Sequence, residues 1–224
     1  MAERNEPDRP SWAALVRHLR DIGVTDERVL AAFAAVDRAA FVPEALRDVA
    51  DEDRPLPIGA GQTISQPQVV AVMVEALELG PGDRVLDVGT GSGYAAAILA
   101  ELAGEVFTIE RLADLAAEAR RRLAAEPRPA AVHVRVGDGT LGWPEAAPFD
   151  AVLVSAAGPA VAPPLVAQLA PGGRLVMPVG PGPDEQRLVR VRRSADGQRV
   201  EEEPLGWVRF VPLLGAAGWA EPEA

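Results

Sequence analysis

The sequence predicts an α/β fold: a mostly parallel central sheet with helices on both faces, an antiparallel C-terminal hairpin and an N-terminal helical extension. Three observations lead there. Beyond residue 81, short β-rich runs alternate with Ala-rich helical stretches, the pattern of strands joined by crossover helices. The first of those runs ends in a glycine-rich turn at the start of a helical stretch, where such sheets hold ligands. Residues 1–80 instead carry apolar side chains mainly at helical spacing.

The elements follow in order. Residues 1 to about 10 are polar and Pro-bearing, a loose tail. Trp12, Leu15, Val16 and Leu19 recur at helical spacing from Ser11 to Ile22, with Ser11 as the expected N-cap. A second helix fits 26–36, presenting Val29, Leu30 and Phe33. Residues 48–57 are an acidic, Pro-bearing connection. Pro67 opens a third helix that runs to about Leu79, where Pro81-Gly82 stops it. Strands are then expected at 84–88, 105–110, 132–136, 149–155 and 174–178, with helices ending at Ala103 and spanning 112–125 and 163–169. Strands at 188–192 and 207–213, joined through the turn Ser194-Ala195-Asp196-Gly197, make the terminal hairpin. The last ten residues read as a frayed end.

At 224 residues the chain suits one domain with an extension. The expected division is 1–80 for the helical extension, 81–215 for the ligand-binding core and 216–224 for a tail. No apolar run reaches the roughly 18 residues of a membrane span, and the N-terminus lacks the basic-then-apolar order of a signal peptide. There are no cysteines, which excludes disulfides, thiolate metal sites and Cys nucleophiles and fits a cytoplasmic setting. His18 and His133 lie outside every motif, so no metal is expected. The formal net charge of −11 argues against nucleic acid as a partner. The densest basic cluster, Arg120-Arg121-Arg122, lies in a helical stretch near Glu118 and Glu126 and reads as a solvated face.

The ligand site is expected where the first strand runs into Asp87-Val88-Gly89-Thr90-Gly91-Ser92-Gly93-Tyr94. Glycines allow a tight turn and let a ligand lie against bare backbone. A dinucleotide fingerprint would want a small residue near position 94 and no acid ahead of the loop. Here position 94 is Tyr and Asp87 precedes the loop, which suits a cationic sulfonium better than a pyrophosphate. Glu110, followed by Arg111, closes the second strand, where a carboxylate can accept both hydroxyls of a ribose. Asp138, in Gly137-Asp138-Gly139, follows the third strand and is placed to take the exocyclic amine of a base. Each acid alone could equally be a strand-end turn or a helix cap. Three in register with a Gly-x-Gly-x-Gly loop point to S-adenosylmethionine.

The segment Pro55-Leu56-Pro57-Ile58-Gly59-Ala60-Gly61-Gln62-Thr63-Ile64-Ser65-Gln66-Pro67 is a Gly/Pro-shaped loop leading into a helix. It can close over a pocket and offer amides and a hydroxyl to an anion. Equally, Ser65 or Gln66 could cap the helix from Pro67. This stretch resembles, almost residue for residue, the signature loop of the protein-L-isoaspartate O-methyltransferase family. Further segments are similar in the family's order: Arg28-Val29-Leu30, Phe41-Val42-Pro43-Glu44, Gly89 to Tyr94, Gly137-Asp138-Gly139 leading to Gly142-Trp143-Pro144, Ala147-Pro148-Phe149-Asp150, Gln168-Leu169-Ala170-Pro171-Gly172-Gly173 and Val208-Arg209-Phe210-Val211-Pro212-Leu213. The resemblance covers about residues 12–215. The chain departs from the family at Val49-Ala50-Asp51, where an aromatic with an acid is usual. It also has Asp87 for a frequent Glu, and Ser155-Ala156-Ala157 for Thr-Ala-Ala.

The resemblance implies a Rossmann-like class I methyltransferase fold with S-adenosyl-L-methionine as cofactor. The cofactor would be held by Asp87, Gly89, Thr90, Gly91, Ser92, Gly93, Tyr94, Glu110, Arg111, Asp138 and Gly139. It implies methylation of the α-carboxylate of L-isoaspartyl residues in damaged proteins or peptides, initiating repair through a succinimide. Gln62, Thr63, Ile64, Ser65 and Gln66 would meet that substrate, with Ser65 as the catalytic residue positioning its carboxylate. A monomer acting on isoaspartyl-containing proteins, with neither nucleic acid nor membrane as partner, is the matching expectation. Alternatives are aspartate methylation in a ribosomal peptide precursor giving aspartimide, a cofactor-binding protein without turnover, and a generic small-molecule methyltransferase. The last would not need the Pro55–Pro67 loop.

Overall fold

The computed structural model describes residues 10–125 and 127–221. The expected polar tail before Pro10, the side chains of Ser11 and Trp12, and Glu126 lie outside the described residues. Helices α1 (Pro10–Asp21) and α2 (Glu27–Ala35) open the chain. Ser11 falls inside α1 and so is not its N-cap. Asp26 caps α2, its carboxylate accepting from the Arg28 amide, and Val29, Leu30 and Phe33 turn inward as their spacing requires. Two short 3-10 turns, Arg38–Phe41 and Glu44–Val49, fill a stretch with no periodic signal.

The stretch expected to be a loop is a hairpin. Strands β1 (Leu56–Gly59) and β2 (Gln62–Ile64) pair antiparallel around Ala60-Gly61, with an irregularity between Pro57 and Gly59. Helix α3 (Pro67–Ala76) follows directly.

Next come β3 (Arg84–Val88), α4 (Tyr94–Leu102), β4 (Glu105–Glu110), α5 (Ala113–Ala125), β5 (Ala131–Val136), β6 (Phe149–Val154), α6 (Pro163–Ala167), β7 (Leu169–Gly182), β8 (Glu185–Arg193) and β9 (Val200–Val208). The seven strands β3 to β9 are ordered β5-β4-β3-β6-β7-β8-β9. They are parallel from β5 through β7 and antiparallel beyond. The chain moves from β3 outward to β5 and then returns to the other side of β3 at β6. The switch point therefore lies at the carboxyl ends of β3 and β6, where open α/β sheets bind ligands.

The buried strands alternate between two cores. Val85, Val106, Ala151 and Leu153 face the layer of α1 to α4, while Leu86, Val88, Ile109, Val152 and Val154 face the layer that holds α6. Helix α4 is apolar except for Glu101 because it is sandwiched between the sheet and α2.

Two expectations at the C-terminal end are corrected. The last strand lies at 200–208 instead of 207–213, and the turn at Ser194–Gly197 is where it was expected. β9 is an exposed edge strand. Its acids face solvent and β8, with Glu203 paired to Arg190, and Pro204 sits where the register slips by a residue, a position that needs no ladder amide. The tail is not frayed through Glu221. The Trp219 amide donates to the Leu213 carbonyl at 2.8 Å, its indole N–H to the Ala157 carbonyl at 3.1 Å, and the Gly215 amide to the Trp219 carbonyl at 3.0 Å. Gly215 approaches Asp138 so closely that a Cβ there would collide with the carboxylate.

The Arg120–Arg122 cluster is only partly a solvated face. Arg121 pairs with Glu118, whereas Arg122 reaches the Phe41 carbonyl and Arg120 the Val134 carbonyl. Among the described residues, no helix is long and apolar enough to cross a membrane.

Candidate active site

A cleft opens at the switch point, walled by the ends of β3, β4 and β6, by the β1–β2 hairpin and by Val211–Leu214. Of the residues expected to hold cofactor, Gly89, Thr90, Gly91, Ser92, Tyr94, Glu110, Arg111 and Gly139 line it. Asp87, Gly93 and Asp138 do not. On the substrate side Gln62, Thr63, Ile64 and Ser65 line it, and Gln66 does not.

Gly91 shapes the loop. Its φ of +52° is left-handed, and a Cβ there would lie 3.4 Å from Ile58 Cδ1, so the hairpin rests on the glycine turn. The Gly91 amide donates to Glu110 Oε2 at 2.8 Å and the Leu112 amide to Oε1 at 3.0 Å. Each carboxylate oxygen thereby accepts one amide and keeps a lone pair for a further donor, the arrangement a vicinal diol can use.

Asp87 lies one layer behind. Fully buried, it shares the sheet face of Val85, and the Thr108 hydroxyl donates to its Oδ2 at 2.7 Å. Since Thr108 spends its proton there, its oxygen accepts from Thr90, 2.6 Å away, and Thr90 lines the cleft. Burial pushes the Asp87 carboxyl up to about 7. The Thr108 hydrogen bond opposes that shift and the nearby Glu110 charge adds to it. Its Oδ1 has no hydrogen-bond partner among the described residues. A buried acid relayed to the cleft through two hydroxyls fits a cationic ligand in that cleft.

Asp138 is committed elsewhere. Oδ1 accepts from the Thr140 amide and hydroxyl, and Oδ2 from the Ala216 amide at 2.7 Å. Burial works to raise its pKa, but these bonds outweigh it and hold the carboxyl below the usual range. Its carboxylate thus anchors the C-terminal segment, whose Leu213 and Leu214 wall the cleft.

On the hairpin side neither Ser65 nor Gln66 caps α3. Asp53 does so from outside: its Oδ1 accepts from the Gln68 amide at 2.9 Å, and its Oδ2 accepts from Gln66 Nε2 and contacts His18 Nε2. The Ser65 hydroxyl, half-buried at the cleft, bonds to no other described residue. Within Val49-Ala50-Asp51, the stretch that departs from the family, Ala50 is fully buried in the core and does not line the cleft. Ser155, Ala156 and Val211–Leu214 line the cleft without having been singled out as site residues. Ser155 carried a signal in its place at the end of a buried strand beside the first.

Comparison with known proteins bears on this geometry. Residues 11–218 match the family described as Protein-L-isoaspartate(D-aspartate) O-methyltransferase. A protein-L-isoaspartate O-methyltransferase of Anaeromyxobacter dehalogenans is 60% identical over 199 residues, covering 89% of this chain and 95% of that protein. One from Methanoculleus marisnigri is 55% identical over 201 residues, covering 90% of each. Among solved structures, a protein-L-isoaspartate O-methyltransferase superposes with a TM-score of 0.80 at 26% identity, over 92% of this chain and 67% of that one. A Plasmodium falciparum protein solved in complex with S-adenosyl-L-homocysteine superposes with a TM-score of 0.77 at 25% identity, over 95% of this chain and 99% of that one. The fold is that of the S-adenosylmethionine-dependent methyltransferases, and the chain belongs to the protein-L-isoaspartate(D-aspartate) O-methyltransferase family.

Proposed function

We infer that this protein transfers a methyl group to the α-carboxylate of L-isoaspartyl residues in proteins and peptides, the ester then closing to a succinimide. The observation that carries the reading is the Ser65 hydroxyl. It stands at the cleft, unbonded to any other described residue, on a hairpin resting on the glycine turn, in a chain of this family. The cofactor supplies an electrophilic methyl on a sulfonium that already contains its leaving group.

Glu110, Thr90, Gly89, Gly91 and Arg111 hold that cofactor in this reading, with Asp87 balancing its charge from behind the loop. Asp138 contributes indirectly, through the Val211–Leu214 wall. Ser65, with the amides around Ile64 and Gln66, orients the substrate carboxylate. A carboxylate is ionised at neutral pH, so the chain has no proton to remove and its work is alignment and exclusion of water. The reading takes residues 1–80, with hairpin 55–67, as the substrate-facing part, 81–215 as the cofactor-binding core and 216–224 as a tail. It takes the protein as a cytoplasmic monomer, and the net charge of −11 supports peptide over polyanion substrates.

The test offers matched L-isoaspartyl and L-aspartyl peptides with methyl-labelled S-adenosylmethionine. Base-labile label on the isoaspartyl peptide alone is expected. Equal labelling of both peptides, or none, contradicts the reading.

A further inference from the structure

Arg38 is a fully buried arginine, and none of the described carboxylates forms an ion pair with it. Its two terminal nitrogens are satisfied by backbone instead, while Nε is buried with no hydrogen-bond partner among the described residues. Nη1 donates to the carbonyls of Ala50 and Glu52, and Nη2 to those of Arg54, at 2.9 Å, and Ser65, at 3.0 Å. Arg54 precedes β1 and Ser65 follows β2, so one side chain ties both ends of the hairpin. The same guanidinium carbon lies 5.9 Å from the centre of the Tyr94 ring, and Tyr94 begins α4 directly after the glycine turn. Burial drives the guanidinium pKa down, countered by Tyr94, Asp53 and Asp51. A buried charge that is costly to desolvate is thus spent on fixing four carbonyls around one point.

We propose that Arg38 is a positioning residue for methyl transfer: by clamping Arg54 and Ser65 beside Tyr94 it sets where the Ser65 hydroxyl stands relative to the cofactor loop. This rests on the methyltransferase reading above. The planar fork matters. A lysine ammonium has three donors on a flexible stem and cannot reproduce four convergent bonds, so Arg38→Lys should loosen the hairpin without emptying the site.

The experiment is a cycle of wild type, Arg38→Lys, Ser65→Ala and the double variant, each assayed for S-adenosylmethionine affinity and for single-turnover methylation of an isoaspartyl peptide. Amide hydrogen exchange is followed in the cofactor-bound proteins. Arg38→Lys should keep cofactor affinity within about twofold and slow methyl transfer about 10- to 100-fold. It should speed exchange across residues 54–66, and it should cost almost nothing further once Ser65 is Ala. Wild-type rates in Arg38→Lys, unchanged exchange over 54–66, or an equal loss in both backgrounds each overturn the assignment. Loss of cofactor binding makes Arg38 a strut of the whole fold and overturns it too. A wild-type protein with no isoaspartyl-dependent turnover would instead sink the functional reading, an outcome the wild-type arm separates from the others.

Discussion

Two loops face each other across the cleft, and they are held in opposite ways. The glycine turn is shaped by itself and its neighbours on the sheet: a left-handed Gly91, an amide on Glu110, and a hydroxyl relay to Asp87. The β1–β2 hairpin has few bonds of its own and is held from elsewhere, its ends by Arg38 and the helix after it by Asp53. A loop shaped locally can be rigid before any ligand arrives, as a cofactor site requires. A loop clamped at its ends keeps a free surface, and Ser65 occupies it. The account therefore separates the two sides of the cleft: the sheet side binds and the hairpin side aligns.

The largest effect should come from breaking both sides at once. Gly91→Val places a branched side chain at φ +52° and against Ile58 Cδ1. Left-handed backbone alone costs a non-glycine residue about 1–2 kcal/mol, and the β-branch adds to it. Calorimetry should find cofactor binding weakened by more than about 100-fold in a protein with native circular dichroism. Gly91→Ala, which meets Ile58 only at the edge of ordinary contact, should cost a fraction of that. A valine variant that binds normally would mean the turn does not meet the ligand.

Ser65→Ala should come next and act on the hairpin side alone. A lost hydrogen bond to a charged group plus misalignment is worth about 2–4 kcal/mol in the transition state, while cofactor affinity stays within about twofold. Glu110→Ala is its mirror image. It should weaken S-adenosylmethionine by about 1.5–3 kcal/mol, and the peptide KM should hold at saturating cofactor. If either variant shifts both quantities together, the division between the two sides fails.

The last effect is on stability and concerns Asp87. The folded protein keeps this carboxyl protonated up to about 7, whereas the unfolded chain releases the proton near 3.8, the ordinary aspartate value. Folding therefore takes up a proton between those values, and stability falls as pH rises across the window. Asp87→Asn should remove that dependence. Its melting temperature relative to wild type should rise between pH 4 and pH 8, by about 2–4 °C for each kcal/mol recovered. A difference that stays constant over that range would show Asp87 ionised throughout.

The same contrast explains what could be read from the chain. The inner parallel strands are buried on both faces and so appear as short runs rich in apolar residues, as in Phe149–Val154. The turn that follows the first of them is legible because its glycines do their work where they stand. β9 is not legible at its true place because Glu201, Glu202, Glu203 and Pro204 read as a connection, and only an edge strand with arginines opposite can use them. The hairpin passed as a loop because Pro57 and the Gly59-Ala60-Gly61 run disguise two very short strands. Arg38 and Asp53 gave no signal, since a buried or bridging charge looks like a surface charge until distant segments meet. The tail reads as a frayed end in the sequence because docking on Asp138 depends on Gly215 and Trp219 meeting partners far back in the chain.

The most direct test of a site that aligns an ionised carboxylate is the pH dependence of the chemical step. Single-turnover methylation of an isoaspartyl peptide, with wild type and Ser65→Ala, is followed from about pH 6 to 9 at saturating cofactor. Above the carboxylate's pKa no base on the protein has to titrate, so both profiles should be nearly flat, separated by a constant factor of about 30 to 1,000. A wild-type rate that climbs tenfold per pH unit, and flattens in Ser65→Ala, would mean that a deprotonated serine or a base acting through it drives the reaction, and alignment would not be the role of Ser65.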